Sequence, residues 1–205
     1  MNSTRRSKMT VFSDPICPFS HQVRIILQEK DIDANIETLI DGAWPEEVAI
    51  ANPYGIGPTL FDRDLVLFNA SVIAEYLDER FPHPPLMPVD PVAKAKTRLM
   101  LYRIDRDWYS HWNVISGREK GNVSKARKTI QEDLTVLAPL FEDSAFFMSD
   151  EFSVLDCTLA PLLWRLPALK IKLPASASAV EKYAQKIFRR DSFQQSLTAA
   201  EKAMR

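Results

Sequence analysis

An excess of charge of either sign is missing from this chain. Its 205 residues carry 26 basic and 27 acidic side chains, a net charge of −1. The global balance therefore gives no electrostatic drive toward nucleic acid or an anionic membrane. Long apolar runs are missing too, and nothing reaches the roughly 20 residues a membrane-spanning helix needs. Met1 to Lys8 is polar and basic with no apolar stretch behind it. It does not read as a secretory leader and is expected to be a flexible tail. Cysteine is scarce: Cys17 and Cys157 lie far apart and fit no metal-ligand spacing. Both are expected as reduced thiols in a cytoplasmic protein. No Ser/His/acid set, carboxylate pair, phosphate loop, repeat or low-complexity tract stands out, and His21 and His111 have no sequence neighbours that make a metal or acid–base site.

What the chain does have is proline, concentrated in Phe81-Pro82-His83-Pro84-Pro85-Leu86-Met87-Pro88. Each proline fixes φ and lacks a donor, and each pushes its predecessor toward an extended conformation. The segment is expected to be a stiff connector between two domains. A backbone fixed in this way loses little ordering entropy on docking a partner, here through His83, Leu86 and Met87. The alternative is a plain rigid linker.

Apolar periodicity gives the organisation on either side. Met9–Ser13 reads as a strand, Ser20–Lys30 as a helix behind Pro18, Ala34–Leu39 as a strand and Trp44–Ala51 as a short helix opened by Pro45. Thr59–Phe61 and Leu65–Leu67 read as a hairpin turning at Asp62-Arg63-Asp64, and Ser71–Arg80 as a closing helix. The order β-α-β-α-β-β-α is thioredoxin-like. Beyond Pro91 the pattern is helical throughout: Val92–Ser116, rich in Trp and Tyr, then Ser124–Phe141, a helix opened by a capping box at Ser153 and Asp156, Val180–Arg189 and Phe193–Met204. The basic clusters at Lys94–Arg98 and Arg118–Lys128 are interspersed with acids and read as solvated faces. The expected architecture is an α/β thioredoxin-like domain over 9–81, a Pro-rich linker over 82–91 and an all-α domain over 92–205, after a tail over 1–8.

Three constellations could carry chemistry. Cys17-Pro18-Phe19-Ser20 sits where the first strand meets the first helix, and a helix start stabilises a thiolate. Gly57-Pro58 precedes the third strand, where a cis-proline in this fold presents backbone to a thiol peptide. Asn69-Ala70-Ser71 opens the closing helix, where free amides could bind a carboxylate or be capped by Asn69 or Ser71.

Taken together, Ser20-His21-Gln22-Val23-Arg24-Ile25, Glu75 through Pro88, Asp107-Trp108-Tyr109, Ser149 through Ser153, Leu159 through Pro167 and Arg190-Asp191-Ser192-Phe193 resemble the glutathione transferase superfamily over nearly the whole chain. Within it the likeness is to the stringent starvation protein A branch. That resemblance implies a homodimer that binds the RNA polymerase–sigma holoenzyme and alters transcription under stress. It also implies no catalysis and no cofactor, and because the chain is not basic, regulation is expected through protein contacts rather than direct DNA readout. It places the polymerase-facing surface at Pro82, His83, Pro84 and Pro85, with Leu86 and Met87 beside them. Cys17, Phe19, Gly57, Pro58, Asn69, Ala70 and Ser71 would then line a vestigial glutathione cleft. Glutathione-binding relatives carry an acidic residue and Ser where this chain has Asn69-Ala70, which weakens glutathione recognition. The Cys17-Pro18-Phe19-Ser20 run instead resembles the thiol site of omega-class transferases. It keeps open a glutathione-dependent thiol transferase with Cys17 as nucleophile, and a cleft reused for another small anion is a further alternative.

Overall fold

The computed structural model describes residues 6–39 and 43–205. They divide into two compact units, one formed by the chain up to Pro84 together with Asp191–Ala203, the other by Pro85–Arg190 with Met204–Arg205.

The first unit is built on a four-stranded sheet. Its elements are β1 (Arg6–Ser13), α1 (Pro18–Glu29), β2 (Asn35–Thr38), α2 (Glu46–Ala51), β3 (Thr59–Arg63), β4 (Leu65–Phe68) and α3 (Ala70–Arg80). The sheet order is β2-β1-β3-β4, with β1 and β2 parallel and the other pairs antiparallel. Val11 pairs with Ile36 on one side and Leu60 on the other, and Val11 and Leu60 are fully buried. Side chains alternate across a strand. Phe12 therefore faces the opposite way, into a cluster with Leu39 and Val48 of α2, flanked by Trp44 and Phe61. The hairpin is tighter than expected: Asp62 pairs with Leu65, leaving Arg63-Asp64 as the turn, and Arg63 takes a positive φ of 56°. The expected tail is corrected in part. Arg6, Ser7 and Lys8 belong to β1, and residues 1–5 lie outside the described ones.

The end of the chain is a second correction. Phe193–Met204 was expected as one helix of the all-α domain. Instead α9 (Asp191–Ser196) and α10 (Ala199–Lys202) join the first unit, where α9 packs on α1. The break between them is a capping box, with Thr198 and Glu201 satisfying each other's backbone amides.

The second unit is helical. It contains α4 (Pro91–Ile104), a π-helical turn (Asp105–Tyr109), α5 (Ser110–Ile115), α6 (Val123–Val136), α7 (Val154–Arg165) and α8 (Ser178–Phe188). The single long helix expected over Val92–Ser116 is thus interrupted by a π turn, whose extra residue shifts the helical phase. Trp108 and Tyr109 within it and Trp112 after it are buried, while Tyr102 before it is exposed. The helix expected to reach Phe141 ends at Val136, because Pro139 lacks an amide and clashes with the preceding turn; Ala138–Phe141 is a 3-10 turn. Every residue of α7 is buried, as expected for a helix apolar on all sides. Its start is fixed by Asp156, which accepts from the Ser153 amide at 2.8 Å, the Phe147 amide at 3.0 Å and the Tyr183 hydroxyl at 2.5 Å.

Candidate functional site

The proline segment crosses the point where the first unit ends and the second begins. Pro82, His83, Pro84 and Pro85 are all exposed, and the His83–Pro84 peptide is cis. Leu86 and Met87 do not share that surface. They are 3% and 6% exposed and belong to the core of the second unit, where the Leu86 carbonyl accepts from the Val154 amide at 2.9 Å. Within the segment Leu86 and Met87 are core, while Pro82–Pro85 and Val89 are surface.

Beneath that surface lies a residue the sequence did not single out. The Lys30 side chain is fully buried. Its ammonium donates to the Phe81 carbonyl at 2.7 Å and the Pro84 carbonyl at 2.5 Å, and pairs with the Asp78 carboxylate at 2.7 Å. An ammonium has three donors and no acceptor, so all three are used.

The cleft residues come together in the first unit. Cys17 is the N-cap of α1 and Pro18 its first residue. The Asp14 side chain accepts from the amides of Ile16 at 2.8 Å and Cys17 at 3.0 Å, which closes the turn into the helix. Cys17 is 0% exposed, and its thiol donates to the Gly57 carbonyl at 3.7 Å. The Gly57–Pro58 peptide is cis. Glycine is required at 57 by close approach, since a Cβ there would lie 2.7 Å from the Ser20 hydroxyl oxygen, itself held by the Asp14 amide at 3.1 Å. Phe19 is half-buried, and Pro58 and Ala70 are buried.

At the start of α3 the cap reading holds. Asn69, at φ 75° and exposed, accepts from the amides of Ser71 at 2.9 Å and Val72 at 3.3 Å. The amides that could have received a ligand carboxylate are taken by the protein's own side chain.

The profile of the glutathione S-transferase N-terminal domain matches residues 16–80, and that of the C-terminal domain matches residues 92–191. A stringent starvation protein A homolog from Pasteurella multocida is 48% identical over 95% of this chain and 92% of its own length. One from Coxiella burnetii is 46% identical over 98% and 97%. The chain belongs to the stringent starvation protein A family. Its fold is that of the glutathione transferases: glutathione transferase Omega 3C from Trametes versicolor superimposes with a TM-score of 0.81 over 95% of this chain and 86% of its own, at 19% identity.

Two further groupings in this stringent starvation protein A family member escaped the sequence reading. His21 has no sequence neighbours that make a metal or acid–base site, but it has partners in the fold. The fold brings its Nε2 to 3.0 Å from the Ser196 hydroxyl and its Nδ1 to 3.5 Å from Glu201. The order resembles a Ser-His-acid triad. Yet all three are buried, the Ser196 hydroxyl donates to the Phe193 carbonyl, and Glu201 is gripped by both oxygens at 2.7 Å by Arg24. The set ties α9 and α10 to α1. Sequence separation of some 175 residues hid it. His111 lines a cavity of about 540 Å³ in the second unit with Asp107, Asp133, Met100, Leu140 and Phe147. Burial raises the pKa of Asp133 there, and a hydrogen bond from Trp108 opposes the shift. Among the described residues, no group of three His, Cys, Asp or Glu is placed to hold a metal, and no helix is long and apolar enough to cross a membrane.

Proposed function

We propose that this protein is an RNA polymerase-associated transcription regulator that docks on the polymerase–sigma holoenzyme through Pro82, His83, Pro84 and Pro85. It acts as a homodimer in the cytoplasm, without catalysis, cofactor or direct DNA readout. The observation that carries the reading is the exposed Pro-His-Pro-Pro surface backed by buried anchors, Lys30 on one side of the sequence and Leu86 and Met87 on the other. Rigid prolines with one histidine offer a protein partner a shaped, low-entropy surface. Leu86 and Met87 support that surface rather than touch the partner. Family membership adds weight. The net charge of −1 favours protein contacts over phosphate contacts.

A glutathione-dependent thiol transferase using Cys17 is the second reading. The thiol at a helix start, facing the cis-proline loop, favours it. Its burial and the Asn69 cap weigh against it.

The test is a pull-down of the purified protein against polymerase core and holoenzyme, wild type beside His83→Ala. Binding that needs both sigma and His83 supports the reading. Binding to neither form removes it, and a glutathione thiol-transfer assay then decides for or against Cys17. Molar mass at micromolar concentration tests the dimer.

A further inference from the structure

We propose that Lys30 is a positioning residue for the Pro82–Pro85 surface: its buried ammonium, anchored on Asp78, pins the carbonyls of Phe81 and Pro84 and so sets the shape the partner meets. This rests on the docking reading above.

The argument starts from what the segment cannot do for itself. Pro82, Pro84 and Pro85 have no amide hydrogen, so between Phe81 and Leu86 only His83 brings a backbone donor. The run has carbonyls to satisfy and almost nothing of its own to satisfy them with. A donor must come from elsewhere, and Lys30 supplies it to the two carbonyls that bracket Pro82 and His83, at 2.7 and 2.5 Å. Lys30 is itself fixed. It is the C-cap of α1, with its amide held by the Ile26 carbonyl at 3.0 Å, and Asp78 in the last turns of α3 neutralises it at 2.7 Å.

A buried lysine is a costly choice where stability alone is at stake, because desolvation of an ion pair often outweighs its attraction and an apolar pair serves as well. A point charge with three donors does one thing that an apolar side chain cannot: it gathers two carbonyls and a carboxylate around one atom. His83 then sits between two pinned points while its own side chain stays exposed.

The test has a partner-free arm and a binding arm. In the free protein, Lys30→Met is expected to drop the backbone order parameter of His83 from the rigid range near ~0.85 to below ~0.6, with β1 and α7 unchanged. Should Lys30→Met fail to fold, Lys30→Met with Asp78→Asn removes both charges and carries the same measurement. In the binding arm, Lys30→Met is expected to weaken holoenzyme binding about 10-fold in the wild type and less than about 3-fold in a His83→Ala background, since the two residues act through one surface. An unchanged His83 order parameter overturns the proposal whether or not polymerase binds. Additive losses in the cycle overturn it too, because a general loss of stability does not depend on His83. A wild type that ignores holoenzyme removes the docking reading, while the order parameter still decides the role of Lys30.

Discussion

The side-chain oxygen of Asn69 lies 2.9 Å from the amide of Ser71, so the first turn of α3 is closed by the chain's own residue. Asn69 also holds φ 75° and ψ 120°, a positive-φ conformation that favours glycine. Asn69→Ala loses the cap and keeps the strained backbone, with an expected cost of about 1–2 kcal/mol. Asn69→Gly loses the cap but relieves the backbone, and is expected to cost only about a few tenths of a kcal/mol. Urea denaturation midpoints of the two variants separate the effects. Equal losses would show that the backbone conformation contributes nothing.

Thiol chemistry gives the second prediction. Cys17 and Cys157 are each 0% exposed. A maleimide or disulfide reagent should reach them only through local opening, at least about 100-fold more slowly than in urea. Labelling of Cys17 at the rate of an open thiol would restore the transferase reading.

The third concerns the ion pair at the end of the chain. Arg24 and Glu201 are both buried and joined by two contacts of 2.7 Å. Removing one partner strands the other, so Glu201→Ala is expected to destabilise the protein by about 3–5 kcal/mol. Replacing both, Arg24→Met with Glu201→Leu, is expected to recover much of that loss. Thermal unfolding of the three variants measures it, and a double variant no better than Glu201→Ala would refute the charge argument.

Asp156 carries a pH prediction. Burial is the largest influence on its carboxyl and raises the pKa above the ordinary 3.8, while bonds from Tyr183, Phe147 and Ser153 pull the other way. The folded state thus holds the proton more tightly than the unfolded state does. The associated stability is complete below the ordinary carboxylate value and is lost as pH rises through the raised one. Asp156→Asn cannot titrate. The unfolding free energy of wild type relative to Asp156→Asn should therefore fall as pH rises from below the ordinary carboxylate value through the raised one. A difference independent of pH across that window would refute the shift.

Much of the fold was legible because it rests on local signals. Val11 and Leu60 alternate with their neighbours, Pro18 and Pro45 mark helix starts, and Ser153 with Asp156 is a capping box readable at a spacing of three. The proline segment announced its surface in the same way. What stayed hidden depends on distant pairing. Nothing around Lys30 reveals that Phe81 and Pro84 will present their carbonyls to it. Nothing around His21 points to Ser196 and Glu201. Leu86 and Met87 were placed on the surface because their prolines were read as display, whereas large apolar side chains beside a stiff backbone serve equally well as an anchor. The π turn at Asp105–Tyr109 has no composition of its own and shows only in the burial of the aromatic residues within and after it.

Asp191–Ala203 completes the first unit, yet Pro85–Arg190 separates it from the rest of that unit along the chain. On a ribosome moving at about 5–20 residues per second, the sheet and its helices emerge roughly 5–20 s before the segment that supplies Glu201 to Arg24. For that interval Arg24 awaits the carboxylate that the folded first unit sets against it. The order of synthesis and the order of assembly are therefore decoupled: the first unit is closed by residues made after Arg190.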